Sequence, residues 1–325
     1  MKVLIVGFGS IARKHVNALS ELEQDLSVYA LRSSTDFEPI SGVESITSTE
    51  QIPDDIEFIV VSNPSNKHFE TIESLAQLGK NMFIEKPSIH RLDGANALIN
   101  RVKEYDIKTY VACNLRFLDC LKFLKQQISL NQIGRINEVN IYAGSYLPDW
   151  RPNQDFKNTY SALSELGGGV HLDLIHEIDY TYWMFGIPNQ QRLLHTSNSS
   201  LEIQSTTYAN YLYQYQQFCV NVVLNYYRRP AKRSIEIITE NAVIEVDLLK
   251  NCVKSNGAIL FESDQKIIDT YKSQMKFFLK HHKTKDYKFD NSLENSIEVI
   301  KMCLNDFFYR RVTEPSISTA LIFYY

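Results

Sequence analysis

A lysine between an acid and a proline is the first feature of this sequence that could perform chemistry. Lys86 stands in Glu85-Lys86-Pro87, directly after a short apolar run. A lysine amine is protonated at neutral pH, but burial and a neighbouring cation both favour its neutral form. It could then take a proton from a hydroxyl, or polarise a carbonyl as a cation. A solvated lysine at a strand end is the alternative.

A histidine and an aspartate form a second candidate group. Asp173 precedes His176 by three residues, in a segment (172–185) whose hydrophobic pattern predicts a helix. A spacing of three places both side chains on one helix face, so Asp173 could orient the imidazole. Imidazole titrates near neutral pH and exchanges protons readily. We therefore predict catalytic roles for Lys86, His176 and Asp173. A hydrogen-bonded helix histidine and a structural aspartate are the alternatives.

The beginning of the chain contains a glycine pattern that can bind phosphate. A β-branched run at 2–6 is followed by the motif G-x-G-x-x-A, which comprises Gly7-Phe8-Gly9-Ser10-Ile11-Ala12. The first glycine permits a tight turn, the second lets a pyrophosphate approach, and the alanine allows close helix packing. The following helix offers free N–H groups to phosphate. We predict that residues 7–11 bind a dinucleotide. A glycine-rich turn in an unrelated α/β fold is the alternative.

The end of the second predicted strand indicates which dinucleotide binds. Proteins that bind NAD usually have an acid there for the ribose 2′-hydroxyl. This chain instead has Arg32 and Ser33, which could hold a 2′-phosphate through charge and hydrogen bonds. The sequence therefore favours NADP, with NAD as the alternative. Arg32 as a solvated loop residue remains a second interpretation.

Two successive patterns of hydrophobic residues divide the chain. At first, short apolar runs alternate with amphipathic segments, which predicts a Rossmann doubly wound parallel sheet. Its predicted strands are 2–6, 26–31, 57–62, 81–84 and 108–112, and its helices are 10–20, 66–78 and 92–105. Later, long alternating strands predict an α+β domain with a large, mostly antiparallel open sheet. Its predicted strands are 136–146, 202–215, 217–227, 234–240 and 242–247, and its helices are 118–129, 172–185, 271–281 and 292–309. We predict a dinucleotide-binding domain at 1–118 and a substrate-binding and oligomerisation domain at 119–325.

Composition narrows the classes of function. The chain has 325 residues and a net charge of −4, which does not indicate nucleic-acid binding. No apolar run approaches the roughly 18–20 residues of a membrane span, so we expect no membrane association. Five cysteines without a CxxC pair indicate free thiols in a reducing compartment, so we expect a cytoplasmic protein. We predict no metal, because the only zinc-like start, at His176, lacks its second histidine.

Six motifs in order resemble the Gfo/Idh/MocA oxidoreductase family over nearly the whole chain. They are the glycine fingerprint, Asn63-Pro64-Ser65-Asn66-Lys67-His68, Glu85-Lys86-Pro87, Asn114-Leu115-Arg116-Phe117, Ile133-Gly134-Arg135-Ile136, and Gly167-Gly168-Gly169 with His176-Glu177-Ile178-Asp179. The resemblance implies a dehydrogenase or reductase that moves a hydride between NAD(P) and a hydroxyl or carbonyl of a sugar, sugar acid or nucleotide sugar. It also implies that Asn63, Pro64, His68, Glu85 and Lys86 bind the cofactor, and that the protein forms a dimer or tetramer through its open sheet.

The resemblance also implies a substrate-binding group. Family members commonly have an aspartate four residues before the histidine, where this chain has Leu172, so whether Asp173 replaces it is open. Arg116 could anchor an anionic or hydroxylated group, or form a salt bridge between domains. Aromatic faces suit sugar C–H surfaces, and arginine suits carboxylate or phosphate. We predict substrate binding by Arg116, Trp150, Arg151, Tyr160, Asp173 and His176, with loop packing as the alternative for residues 150, 151 and 160.

Two other functions compete with this one. The family includes non-catalytic regulators that bind a dinucleotide and a partner protein. It also includes glycosidases or lyases in which the nicotinamide is oxidised only transiently. Segments 147–152 and 160–162 resemble a branch linked to bacterial surface-sugar biosynthesis. We therefore expect a carbohydrate substrate from surface polysaccharide metabolism.

Overall fold

The computed structural model describes residues 1–34 and 39–305. Its first sheet is parallel, with six strands in the order β3-β2-β1-β4-β5-β6. These are β1 (Lys2–Val6), β2 (Ser27–Leu31), β3 (Val43–Ile46), β4 (Phe58–Val61), β5 (Asn81–Ile84) and β6 (Thr109–Val111). The helices along this part of the chain are α1 (Ser10–Leu22), α2 (His68–Leu75) and α3 (Ala95–Glu104). The central strand β4 is buried throughout, as a strand covered on both faces must be.

The second sheet has eight strands in the order β14-β13-β12-β11-β7-β10-β9-β8. They are β7 (Ile136–Tyr146), β8 (Gln190–Thr196), β9 (Tyr208–Gln214), β10 (Cys219–Asn225), β11 (Tyr227–Thr239), β12 (Val243–Asp247), β13 (Cys252–Ser255) and β14 (Ala258–Glu262). All neighbouring pairs are antiparallel except β7 and β10. The remaining helices are α4 (Asp119–Ser129), α5 (Val170–Asp173), α6 (His176–Phe185), α7 (Asp269–His281) and α8 (Leu293–Leu304). The predicted fold class is confirmed.

Several predicted elements were wrong or missing. The single helix predicted at 172–185 is two helices, α5 and α6, with a break after Asp173. Strands β3, β8, β13 and β14 were not predicted, because they are short or carry charged residues that obscure alternation. Helix α8 ends at Leu304, and the predicted continuation to 309 lies largely outside the described residues.

A helix near the end of the described chain packs on the first sheet. Met275 and Phe278 of α7 share a core cluster with strands of the parallel sheet. The ring of Phe278 lies 5.0 Å from that of Phe58 and 5.4 Å from that of Phe83, both edge-on. The chain therefore returns to its first domain after building the second sheet, and a division at residue 118 remains a prediction.

No helix within the described residues is long and apolar enough to cross a lipid bilayer.

Candidate active site

The fingerprint turn lies where β1 meets α1. Gly7 has φ of +76°, and a Cβ there would lie 2.6 Å from Cα of Asn63 at the end of β4. Both facts require glycine at this position. Gly9 precedes α1, and a Cβ there would meet no atom within 4 Å. Space is therefore open beside the helix N-terminus, where the free N–H groups favour an anion.

We expect these two glycines to respond differently to alanine. Gly7→Ala should lower stability by about 1–3 kcal/mol, because it strains the turn and collides with Asn63. Gly9→Ala should leave the midpoint of thermal unfolding nearly unchanged but weaken dinucleotide binding, because the added methyl fills the open space. Thermal unfolding and fluorescence titration with NADPH measure the two effects. Loss of stability in Gly9→Ala would contradict this assignment.

Two arginines flank the aromatic residue of the turn. The guanidinium carbons of Arg32 and Arg13 each lie 5.5 Å from the centre of the Phe8 ring. Arg32 follows β2, and its backbone N–H donates to the carbonyl of Ile46. Ser33 is exposed next to it. The sequence predicted a cofactor role for Arg32 but not for Arg13, which lies one turn into α1 and was not linked to Phe8 by any motif.

A buried histidine connects two loops at the carboxyl ends of the parallel strands. His68 Nε2 lies 2.9 Å from the carbonyl oxygen of Asn63, and Nδ1 lies 2.8 Å from that of Pro87. Burial lowers the pKa of His68, while both carbonyls act in the opposite direction. The neutral ring can donate to one carbonyl at a time. Of the predicted residues Asn63, Pro64 and His68, only Asn63 and His68 take part in this bridge between the two loops. Pro64 lies exposed beside it.

Glu85 is hydrogen-bonded to a buried histidine inside the first domain. His15 of α1 is fully buried, and its Nε2 lies 2.5 Å from Glu85 Oε1. The other carboxylate oxygen accepts from the backbone N–H of Lys86 at 3.1 Å. Burial raises the pKa of Glu85, but His15 and Lys86 outweigh it and the net pKa is lowered. Glu85 thus holds the Lys86 backbone, and its cofactor contact stays a prediction.

The side chain of Lys86, which follows β5 of the first sheet, reaches across to α5. The boundary that it crosses, between the two halves of the molecule, is called the seam below. The Lys86 Nζ donates to the backbone carbonyl of Asp173 at 2.9 Å. In a continuous helix that carbonyl would accept from the N–H of Glu177, which here bonds instead to Leu174 at 3.3 Å. The lysine amine therefore replaces the missing N–H donor at this carbonyl, where α5 ends.

The Asp173 carboxylate is buried and held by two tyrosines. The hydroxyl of Tyr160 donates to Oδ1, and that of Tyr226 donates to Oδ2 at 2.5 Å. Burial raises the pKa of Asp173, although Lys86, Tyr226 and Arg151 each act to lower it. Sequence reasoning predicted Tyr160 and missed Tyr226, because residue 226 lies between two strands and carries no motif.

Trp150 and Arg151 lie at the outer edge of this group. The Trp150 ring packs edge-on against Tyr226 at 5.4 Å, and its indole N–H donates to Ser145. It remains 39% exposed. Arg151 lies 6.0 Å from the Tyr160 ring centre. The structure thus brings Lys86, Asp173, Tyr160, Trp150 and Arg151 into one region.

His176 lies beside this group without bonding to Asp173. The break between α5 and α6 removes the shared helix face that the sequence predicted. His176 is buried, and its Nδ1 has no hydrogen-bond partner among the described residues. Burial, followed by the charges of Lys86 and Arg233, lowers its pKa well below the ordinary value. The ring is therefore neutral at pH 7, and its unprotonated nitrogen can accept a hydrogen bond.

Arg116 forms the salt bridge that the sequence left as an alternative to substrate binding. Its Nε and NH2 donate to the two oxygens of Asp179 at 2.9 and 2.7 Å, and both side chains are buried. NH1 reaches the Asp290 carbonyl at 3.3 Å. Nearby, Glu177 of α6 pairs with Arg233 of β11 at 2.6 Å. These acids attach α6 to both halves, and each nitrogen of the Arg116 guanidinium donates to a protein oxygen.

Two family models match the chain in order. The Oxidoreductase family model with the NAD-binding Rossmann fold matches residues 1–113, and the C-terminal alpha/beta domain model of the same family matches 125–300. The chain belongs to the Gfo/Idh/MocA oxidoreductase family. The predicted resemblance is therefore confirmed.

Named members of the family resemble the chain in part. Glucose-6-phosphate 3-dehydrogenase of Bacillus subtilis is 28% identical over 196 residues, covering 57% of this chain and 53% of that protein. Myo-inositol 2-dehydrogenase of Thermotoga maritima is 25% identical over 195 residues, covering 57% and 55%. The match thus spans about half the length of these relatives.

Two solved dehydrogenase structures share the fold over most of the chain. Levoglucosan dehydrogenase in complex with NADH and levoglucosan has a TM-score of 0.80 at 15% identity, covering 93% of this chain and 95% of that one. The WlbA dehydrogenase of Bordetella pertussis, in complex with NADH and UDP-GlcNAcA, has a TM-score of 0.75 at 14% identity, covering 93% of each chain. At these identities the likeness establishes the fold alone.

Proposed function

We propose that this protein is an NAD(P)-dependent dehydrogenase. It oxidises a secondary hydroxyl, or reduces the matching carbonyl, of a sugar, sugar acid or nucleotide sugar, in surface polysaccharide biosynthesis. The observation that carries the proposal is the Lys86 amine, which crosses the seam to Asp173 at 2.9 Å. Relatives named for oxidation of sugar hydroxyls support the substrate class. Five free cysteines support a cytoplasmic location.

The fingerprint turn fits a dinucleotide. An open space lies beside Gly9, and the first turn of α1 has no acidic residue to repel phosphate. We propose that residues 7–11 hold the pyrophosphate, and that Asn63 and Lys86 approach the nicotinamide. When bound, nicotinamide supplies the hydride acceptor or donor. We propose NADP as the preferred cofactor, because Arg32 and Arg13 add two cations beside the Phe8 ring.

The remaining roles follow from charge and protonation. Lys86 contacts the reacting oxygen with the donors that its bond to Asp173 leaves available. Neutral His176 accepts from a substrate hydroxyl at a ring nitrogen. Trp150 covers an apolar sugar face, and Arg151 pairs with a carboxylate or phosphate of the substrate. Asp173 and Tyr160 lie between these groups.

A turnover assay tests this function. Purified protein is incubated with NADP or NAD and with matched neutral and anionic sugars: glucose, glucose 6-phosphate, glucuronate, myo-inositol and UDP-N-acetylglucosamine. Nicotinamide absorbance and product mass are followed together. Reduction of the cofactor in step with product supports the dehydrogenase. Product without net cofactor change would identify the transient-oxidation lyase or glycosidase, and binding of the cofactor without turnover would favour a regulator.

Arg32 provides a test of cofactor choice. We expect Arg32→Ala to raise the Kd for NADPH about 10- to 100-fold, because charged hydrogen bonds contribute about 1.5–3 kcal/mol. The Kd for NADH should change little. Arg101→Ala is a matched control, because Arg101 also lies over a ring, that of Tyr105, on the distant helix α3. Fluorescence titration measures both cofactors. An equal increase in the Kd values for NADPH and NADH would show that Arg32 does not recognise a 2′-phosphate.

The open face of the second sheet is the proposed contact between subunits. Tyr211 and Tyr213 of β9 point into the core, while Leu212 between them is 47% exposed. Leu194 on the neighbouring strand β8 is also exposed on that face. We propose a dimer or tetramer through this face. Sedimentation of the wild type and of Leu212→Glu tests it, and a monomeric wild type would exclude it.

A further inference from the structure

The carboxylate of Asp173 joins two tyrosines that differ in their access to ligand. Tyr226 has no exposed surface, and Trp150 packs against its ring. Burial, with Asp173 next, raises its pKa well above the ordinary value, so it remains a hydroxyl donor. Tyr160 is only half-buried and lies on the side of Arg151. Only Tyr160 can therefore meet a substrate while it bonds to the carboxylate.

The protonation states of the neighbouring groups favour proton transfer from Tyr160 to Asp173. The raised pKa of Asp173 makes its carboxylate a stronger base than an exposed one. His176 has no bond to Asp173, and its lowered pKa leaves no imidazolium to donate at neutral pH. The amine of Lys86 bonds to the Asp173 backbone carbonyl and not to its carboxylate. Tyr160 is thus the group whose proton has an acceptor already in place.

We propose that Tyr160 is the proton-transfer residue of the site, with Asp173 as its base and Tyr226 as a positioning residue. The inference rests on the proposed dehydrogenase function. In oxidation, the substrate O–H bond breaks and its proton passes to Tyr160 Oη, while the proton of Tyr160 passes to Asp173 Oδ1. Bound oxidised nicotinamide would supply the acceptor for the hydride of the adjacent C–H bond, so that the C=O bond could form. In reduction each transfer reverses.

Tyr226 acts on this step through the carboxylate. Its bond to Oδ2 stabilises the anion and lowers the pKa of Asp173. Oxidation needs the unprotonated carboxylate, so the rate falls as pH drops through that pKa. Removing the Tyr226 hydroxyl raises the pKa of Asp173, and the acidic limb of the pH profile should move to higher pH.

Three variants test this proton transfer from substrate through Tyr160 to Asp173, called the relay below. The assays use NADP and a substrate from the set of sugars given above. Tyr160→Phe should lower kcat about 10²- to 10⁴-fold with little change in KM, the range of general acid–base catalysis. Asp173→Asn should lower kcat similarly. Tyr226→Phe should keep most of kcat at high pH and shift the acidic limb upward. Tyr215→Phe is the control, because it loses a comparable hydroxyl bond, to Gly186, away from the site. Undiminished kcat in Tyr160→Phe, or an unmoved limb in Tyr226→Phe, overturns the proposal.

A second measurement needs no turnover, so it separates failure of the relay from failure of the proposed function. Protein labelled with ¹³C at the tyrosine ζ carbon is prepared with NADPH bound, and the resonance missing from Tyr160→Phe identifies Tyr160. That resonance should shift in Asp173→Asn, because its hydroxyl loses a charged acceptor, and stay in place in Tyr215→Phe. An unchanged resonance in Asp173→Asn overturns the relay, whatever the panel shows. If the Tyr160 resonance shifts but no substrate is turned over, the result contradicts the proposed dehydrogenase function and not the relay.

Discussion

Lys86→Met is expected to lower kcat by about 10²- to 10⁴-fold, while the Kd for NADPH changes little. In the proposed function the Lys86 amine donates to the reacting oxygen, and methionine keeps the length of the side chain without its donors. Donors aimed at developing charge contribute most to the transition state and little to ground-state binding. Single-turnover kinetics and fluorescence titration separate the two quantities.

A matched lysine far from the site controls for this change. The amine of Lys80 also donates to a backbone carbonyl at 2.9 Å, that of Asp54, so Lys80→Met removes the same kind of contact without touching the seam. It should leave kcat unchanged. Lys86→Arg should recover only part of the activity, because a planar guanidinium does not replace a compact ammonium. A Lys86→Met enzyme as fast as wild type would remove Lys86 from the chemistry.

Arg116→Met is expected to lower the free energy of unfolding by about 3–5 kcal/mol. The substitution leaves the Asp179 carboxylate buried without its bidentate partner, and an uncompensated buried charge costs about that much. Urea unfolding followed by fluorescence measures the change. Because Arg116 lies just before α4 and Asp179 lies in α6, the loss should also loosen the packing of α6.

Two further variants identify the cause. Arg116→Met combined with Asp179→Leu should recover most of the loss, since apolar residues of similar volume often replace a buried ion pair at little cost. Lys272→Met breaks an exposed pair with Glu21 between α7 and α1, and should cost no more than about 1 kcal/mol. If the double variant is as unstable as Arg116→Met, packing rather than buried charge explains the effect.

Local sequence determined the fold and the position of the chemistry. The turn at Gly7 and Gly9 could be predicted because backbone geometry there depends on neighbouring residues only. The motif around Lys86 directly follows a buried strand, so its place at the strand end was also predictable. Alternation of buried and exposed residues along β7 gave the open sheet, because side chains of a strand point alternately to two faces.

Pairings between distant residues required the tertiary structure. Arg116 meets Asp179 across 63 positions, and Glu85 meets His15 across 70. No local rule pairs such residues, so the sequence predicted ligand contacts for Arg116 and Glu85 and could not predict these partners. His15 left one signal, its place on the buried stripe of α1 with Ala12 and Ala18.

The relation between Asp173 and His176 shows the same limit within one short segment. Their spacing of three predicted a shared helix face. The Lys86 amine instead donates to the carbonyl of Asp173, and α5 ends there. The carboxylate then faces Tyr226 from 53 positions away instead of the imidazole. The sequence by itself determined which residue types surround the seam. Only tertiary packing decided which of them bond, because a helix continues or ends according to what satisfies its carbonyl groups.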